Sequence, residues 1–284
     1  MIAFRRWFPV YSGSDGRWTA DQQLYVVDLS NPDHPSIAST LITPDANSWW
    51  GNMRAVGNTL YTSHYEWVDL PTADSPNGFV KYYLDRIDLS DRAHPKVGSK
   101  INVPGMLVGA SATDPDTLYT IDYRWDGDIA KNDLDVVHID GNRAHLQGSV
   151  RVDGWVGNVF VQNNSAYMST ETYVEPNSPY DPNAGPRVNL HQIDLTNAGA
   201  LVDHATTPQQ GWGWLLGVQG DRAILTSGWG NNGVDIYKLT PNAAPTFDQF
   251  VRTNGWWTES LSRQDNQLFL SSGYWGVQTV TLKP

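Results

Sequence analysis

Residues 105–153 read GMLVGASATDPDTLYTIDYRWDGDIAKNDLDVVHIDGNRAHLQGSVRVD, and this stretch decides the fold. Met106 to Ser111 is a short apolar run, and Asp114-Pro115-Asp116 turns the chain into Thr117 to Trp125. A loop from Asp126 to Asp133 leads to Leu134 to Ile139, and a turn at Gly141-Asn142 leads to a last run near Leu146 to Val150. Short runs of apolar and β-branched residues separated by Gly, Pro, Asn and Asp are strands in antiparallel succession, here four of them, named a to d. Asp153-Gly154 then opens the next unit.

Two markers repeat this plan along the chain. Before strand a stand Ser48-Trp49-Trp50, Gly105-Met106, Gly154-Trp155, Gly211-Trp212-Gly213-Trp214 and Gly255-Trp256-Trp257, at gaps of 57, 49, 57 and 44 from Trp49 onward. Strand c ends on Asp28, Asp88, His138, Asp194, Lys238 and Thr281, at gaps of 60, 50, 56, 44 and 43, often as Asp-Leu-Ser. Two unrelated features in step are an internal repeat, and this period marks stacked supersecondary units. Six markers predict an all-β, six-bladed β-propeller of three to four antiparallel strands per blade, as one domain over 1–284. Its units run roughly 1–47, 48–104, 105–153, 154–210, 211–254 and 255–284. The first unit lacks strand a and the last lacks strand d, so the alternative is the C-terminal part of a larger propeller.

Composition limits the partners. A net charge of −11 with 19 Lys and Arg argues against nucleic acid, whose phosphates need clustered positive charge. Cys is absent, so no disulfide or thiolate metal site exists. No stretch reaches the roughly 18 apolar residues of a membrane span. The first residues, Met1 to Trp7, lack the apolar run of a secretion signal, so the expectation is either a cytosolic protein or a leader upstream.

Leu24-Tyr25-Val26-Val27-Asp28-Leu29-Ser30-Asn31-Pro32-Asp33-His34-Pro35 resembles the LVIVD repeat of bacterial and archaeal cell-surface proteins, and Leu84 to Pro95 is a looser copy. The resemblance implies a propeller that is extracellular, on the cell surface or periplasmic. It brings no catalytic residues with it.

The a-strand junctions and the b-to-c loops fall at one end of each sheet, because each intervening strand reverses direction. That end collects Trp50, Trp214 and Trp257 from the junctions, and Trp67, Trp125, Tyr173, Trp229 and Trp275 from the loops. These eight are the expected ligand-binding residues, since flat aromatic faces suit sugar rings and peptide side chains. The first tryptophan of each junction is expected to pack between neighbouring sheets, and the doubled one to face outward.

The same end is acidic. Asp126, Asp128 and Asp133 offer hard oxygen ligands for Ca²⁺, the one cofactor the sequence suggests, although they match no established loop spacing. Glu259, with Glu171 or Asp122, is the candidate acid/base pair of a glycan-acting hydrolase or lyase. The histidines of the c-to-d turns, His34, His94 and His145, lie in separate repeats and form no metal set. Nucleophile-elbow, phosphate-loop and His-Glu-x-x-His motifs are missing. The reading this favours is a non-enzymatic binding module for a glycan or a peptide or protein ligand, as a monomer or part of a longer chain. The rivals are the glycan-acting enzyme and a structural spacer.

Overall fold

The computed structural model describes residues 2–12, 17–42, 49–68, 79–126, 129–177, 184–206, 209–227, 232–253, 258 and 260–282. Of residues 2–12, 17–22, 42, 49–52, 124–126, 129–130, 227 and 260–261, it describes the backbone only.

Six separate antiparallel sheets and one short 3₁₀ turn make up the described residues. The first sheet holds β1 (Ile2–Ser12), β2 (Arg17–Asp28) and β3 (Ser36–Ile42) in that order. The second runs β4 (Trp49–Val56), β5 (Thr59–Val68), β6 (Phe79–Asp88), and β6 also receives β7 (Lys96–Val97) and β8 (Ile101–Val103). In the third, β9 (Met106–Ala110), β10 (Thr117–Ile121), β12 (Ile129–Asp140) and β13 (Arg143–Asp153) lie in sequence, with β11 (Arg124–Asp126) hairpinned onto β12. The fourth is β14 (Trp155–Gln162), β15 (Ser165–Val174), β16 (Gly185–Asp194) and β17 (Val202–Ala205), with β18 (Gln209–Gln210) on β16. The fifth is β19 (Leu215–Gln219), β20 (Arg222–Ser227), β21 (Gly233–Lys238) and β22 (Thr246–Arg252). The sixth is β23 (Ser260–Gln264), β24 (Gln267–Ser271) and β25 (Val277–Thr281).

Each sheet falls between the limits of one sequence repeat. The chain also divides into two compact units, Met1–Leu107 with His138–His145, and Val108–Val137 with Leu146–Pro284.

The Asp-Leu-Ser marker has a physical origin. Asp28, Asp88 and Asp194 each accept, on Oδ1, the amide of the residue two positions on, at 2.9 Å. The side chain thereby supplies the acceptor that the turning backbone has lost. The following leucine is tied to the preceding a-to-b turn: Leu89 N–H donates to Asn58 O, Leu195 to Asn164 O, Leu239 to Asp221 O and Leu282 to Asn266 O. All four leucines are buried. Lys238 and Thr281 can therefore replace Asp without loss of the unit, because the leucine anchor persists.

The expected loop from Asp126 to Asp133 is a correction. β12 begins at Ile129, and Asn132, Asp133 and Asp135 are buried in it. Polar composition suggested a loop, but Asn132 Nδ2 donates to Gly154 O and Val152 O, so its polarity is used inside the sheet.

In the second compact unit the core lies in the seams between neighbouring sheets. Even-numbered β15 residues, with Val156 and Val159, pack toward Val108, Tyr119, Leu134 and Val136 of the third sheet. Tyr167 on the other face packs with Val188, Leu190, Leu215, Leu225 and Tyr237 at the fifth sheet. Polar groups cross the latter seam as well: Ser169 Oγ accepts Leu215 N–H at 2.9 Å, and Asn158 Nδ2 donates to Leu215 O at 3.0 Å. In the first compact unit Ser63 Oγ accepts Leu107 N–H at 2.9 Å, the same latch one repeat pair earlier.

The second sheet has a charged interior. His64, 6% exposed, holds Asp85 Oδ2 2.6 Å from Nδ1 and Glu66 Oε1 3.5 Å from Nε2. Lys100 bonds Glu66 and lies 4.4 Å over the Tyr83 ring, which stacks on His64. Burial alone lowers the imidazole pKa, but the hydrogen bonds and charges of Asp85 and Glu66 outweigh it and raise it above its ordinary value.

Two outcomes are expected. Ser169→Ala leaves the buried Leu215 amide without its acceptor and lowers unfolding free energy by about 1–3 kcal/mol in denaturant titration. Because the folded pKa of His64 is raised, its stabilisation is complete below the ordinary value of 6.5 and is lost as pH rises through the folded value. The melting temperature should fall over that range in the wild type, and His64→Gln should flatten the slope.

Candidate functional site

The a-strand junction of the fifth sheet meets the fourth sheet at Glu171. Glu171 stands on β15 two residues beyond Ser169, so both side chains point to the same face. Gly213 stands two residues before Leu215, and its amide donates to Glu171 Oε1 at 3.1 Å. Two amides spaced by two residues thus meet two acceptors spaced by two residues. Glycine is required at 213, since a Cβ there would lie 2.4 Å from Thr226 O. Gly154 has φ +101°, and a Cβ on it would lie 2.7 Å from Glu171 O.

Two aromatic side chains share the face of this carboxyl. Trp155 is the direct cross-strand partner of Glu171, and Val188 is its partner on the other side. Direct partners share a face with Cβ atoms about 5 Å apart. Tyr173 follows two residues on, on the same face, and Trp212 adjoins Gly213. Trp155, Tyr173 and Trp212 are 53%, 55% and 43% exposed, whereas Glu171 is half-buried. Desolvation pushes the Glu171 carboxyl above the usual carboxylate range, and the Gly213 amide opposes that only in part.

A second desolvated carboxyl borders the same seam. Asp235 pairs with Leu225 across β20–β21 and so shares the face of Leu225 and Tyr237, which pack against Tyr167, Val188 and Leu190. Burial raises its pKa, and its charge helps raise that of Tyr237.

The sequence-predicted residues divide into several groups. Tyr173 belongs to the cluster around Glu171. Trp67 on the second sheet and Trp275 in the 3₁₀ turn between β24 and β25 are exposed by 68% and 62%. Trp50 lies in β4 opposite His64, and Trp125 and Asp126 lie in β11, each with backbone alone described. Trp229, Trp257, Glu259 and Asp128 lie outside the described residues. The division between inner and outer tryptophans is corrected: Trp155 and Trp212, expected to pack, are exposed, and Trp214, expected outward, is half-buried beside Gly157. For Trp155 the cause is the register shift after Val156, which breaks the simple alternation of faces; Trp212 and Trp214 stand ahead of β19, outside the strand, two residues apart.

Asp133 of the expected Ca²⁺ set is buried, and both its oxygens accept from Arg151, at 2.8 Å from Nε and 3.0 Å from Nη2. Asp122 Oδ1 accepts the Asp133 amide, tying the end of β10 to β12. Among the described residues no group of three or more His, Asp or Glu is placed to hold a metal ion. Sequence reasoning missed Trp155 and Trp212 as exposed residues, and missed Asp235 altogether. The Gly-Trp signature marked the first two, but the register shift after Val156 and the start of β19 at Leu215 lie beyond what that signature shows.

No family model matches the chain, and no curated protein matches it by sequence. Solved structures do. A Bacteroides fragilis protein described as a candidate 6-phosphogluconolactonase aligns with a TM-score of 0.53 at 12% identity, covering 95% of this chain and 73% of its own. Kuenenia stuttgartiensis hydrazine synthase aligns with a TM-score of 0.53 at 12% identity, covering 94% of this chain and 93% of its own. The periplasmic gluconolactonase of Pseudomonas aeruginosa aligns at a TM-score of 0.41 and 11% identity, covering 99% and 97%. The first two likenesses establish that this all-β fold is one in which solved enzymes occur. The expectation of a non-enzymatic binding module is overturned by that finding.

Asp235 yields a test of the seam. Its raised pKa means that holding it ionised costs stability at neutral pH. Asp235→Asn should therefore raise the melting temperature at pH 7 and leave it little changed in acid, as measured by calorimetry. A fall at pH 7 would show the carboxylate to be held by a favourable partner.

Proposed function

We propose that the chain is a six-bladed β-propeller hydrolase acting on sugar lactones, with Glu171 as its general base. The observation that carries this reading is a half-buried carboxyl, raised in pKa, with exposed Trp155 and Tyr173 on its own face of the fourth sheet and exposed Trp212 next in sequence to the Gly213 that binds it. The fold shared with the candidate 6-phosphogluconolactonase supports the reaction class. The LVIVD-like Leu24 to Pro35 supports a place outside the cytoplasm.

The chemistry needs few parts. Ionised Glu171 takes a proton from a water as the water oxygen attacks the lactone carbonyl carbon. The tetrahedral carbon then re-forms its C=O as the ring C–O bond breaks. The departing alkoxide takes the proton back from Glu171, and an open-chain hydroxy acid leaves. Gly213 engages Oε1 and orients the carboxyl, so Oε2 is the atom that carries the proton. Desolvation makes the carboxylate a stronger base than one in water. Trp155, Trp212 and Tyr173 provide flat faces for the sugar ring.

Glu171→Gln should lower kcat on a sugar lactone by roughly 100- to 10,000-fold with the fold intact. Wild-type kcat/KM should rise with pH through the raised Glu171 pKa, and the variant should lose that limb. Trp155→Ala should act mainly on KM. Wild-type turnover that survives Glu171→Gln, measured by acid release at constant pH, would overturn the assignment.

A further inference from the structure

Three consecutive residues of β15 are each held by their side chains. Ser169 Oγ accepts the Leu215 amide and Glu171 Oε1 the Gly213 amide, both on the face toward the fifth sheet. Thr170 points the other way, since side chains alternate along a strand. Its Oγ1 lies 2.9 Å from Nε2 of His191 on β16, and His191 Nδ1 lies 2.8 Å from Oδ2 of Asp203 on β17. A hydroxyl, an imidazole and a carboxylate thus form a chain across three strands, from a partly exposed Asp203 to a buried Thr170.

The donors and acceptors fix the sense of this chain. A carboxylate only accepts, so the proton between Asp203 and His191 belongs to Nδ1. In the neutral ring Nε2 is then an acceptor, and Thr170 donates its hydroxyl proton to it. An alcohol on an imidazole that a carboxylate orients is the order of a nucleophilic triad. Thr170 is fully buried, however, so its oxygen is closed to a substrate. What the chain acts on is the strand that carries Thr170.

That strand needs holding at this point. β14 pairs Val156 with Thr170 and then Val159 with Met168, so Gly157 and Asn158 stand where one residue would face Ser169. The ladder on that side is interrupted beside Glu171, and a bulged pairing bends the strand. On the other side β16 pairs without interruption, Asn189 with Thr170 and Val188 with Glu171. Counted from the latches Ser63 and Ser169 and the markers Asp88 and Asp194, His64 and Asp85 hold the positions of Thr170 and His191. They also bond, at 2.6 Å, so a polar pair here belongs to the repeat. Asp203 lengthens it in the fourth sheet.

We infer that Thr170, His191 and Asp203 are positioning residues for Glu171, clamping β15 from the face opposite the site so that the carboxyl meets the Gly213 amide. The inference rests on the reading of Glu171 as a general base. A base must stand within hydrogen-bond reach of its proton, and misplacement by about 1 Å costs about 100-fold in rate.

The Gly213 amide reports on the clamp, because its proton shift follows the ionisation of the carboxyl it binds. NMR of the ¹⁵N-labelled full chain over a pH series should show that response in the wild type, and Glu171→Gln should abolish it. Thr170→Val keeps the shape of the side chain without its hydroxyl and should lose most of the response, whereas Thr170→Ser should keep it. Asp203→Ala, at the partly exposed end, should weaken it, and it keeps the test decisive if Thr170→Val does not fold. On a sugar lactone Thr170→Val should lower kcat by about 10- to 100-fold with KM unchanged, and Thr170→Ser should restore it. A wild type that turns over no lactone would overturn the reading of the site, while the Gly213 amide still decides the clamp. A wild-type amide indifferent to pH, or a Thr170→Val or Asp203→Ala protein that melts lower yet keeps the full response, would overturn the inference.

Discussion

Neighbouring sheets in this protein are coupled by backbone groups that their own sheet cannot satisfy. The amides of Gly213, just ahead of β19, and Leu215, its first residue, are both taken by the fourth sheet, through Glu171 and Ser169. The Leu215 carbonyl is taken by Asn158. A buried amide left unpaired costs about 1–3 kcal/mol, so these contacts favour one alignment of the two sheets. The apolar seam of Tyr167, Val188, Leu190, Leu215, Leu225 and Tyr237 then packs around that alignment. Hydrophobic burial supplies most of the free energy, and the latches choose the register.

This coupling places the candidate site. In the second sheet Ser63 makes the same latch to Leu107, and the residue two positions on is Tyr65, which packs edge-on against Trp67 and Tyr82. In the fourth sheet the corresponding residue is Glu171. One slot of a repeated scaffold thus holds an aromatic ring in one copy and a desolvated carboxyl in another. Chemistry grafted on a repeat in this way needs no change of backbone, because the Gly213 amide that orients the carboxyl is already part of the inter-sheet contact.

The period of the repeat and the limits of the sheets were legible because they rest on local chemistry: Asp side chains capping their own turns, buried leucines after them, and glycines where a Cβ would strike backbone. Other features were not legible. Asn132 and Asp133 look like loop residues, yet one bonds Val152 and Gly154 carbonyls and the other is gripped by Arg151. Such partners are distant in sequence, so polarity misled. The face of Trp155 turned on a register shift, which a period-two reading assumes away, and Trp212 and Trp214 fall just ahead of β19. Glu171 was visible as a carboxylate on strand b, but its burial and its partner Gly213 depend on a contact across 42 residues.

The proposed chemistry requires Glu171 to be a desolvated carboxyl, oriented by the Gly213 amide and able to exchange a proton. Its ionisation can be read directly by NMR titration of the carboxyl carbon in ¹³C-labelled protein, with Glu171→Gln to assign the signal. A desolvated Glu171 should titrate above the 4.5 of an ordinary glutamate. A midpoint at or below that value would mean that the carboxyl is solvated or paired, and would contradict the account.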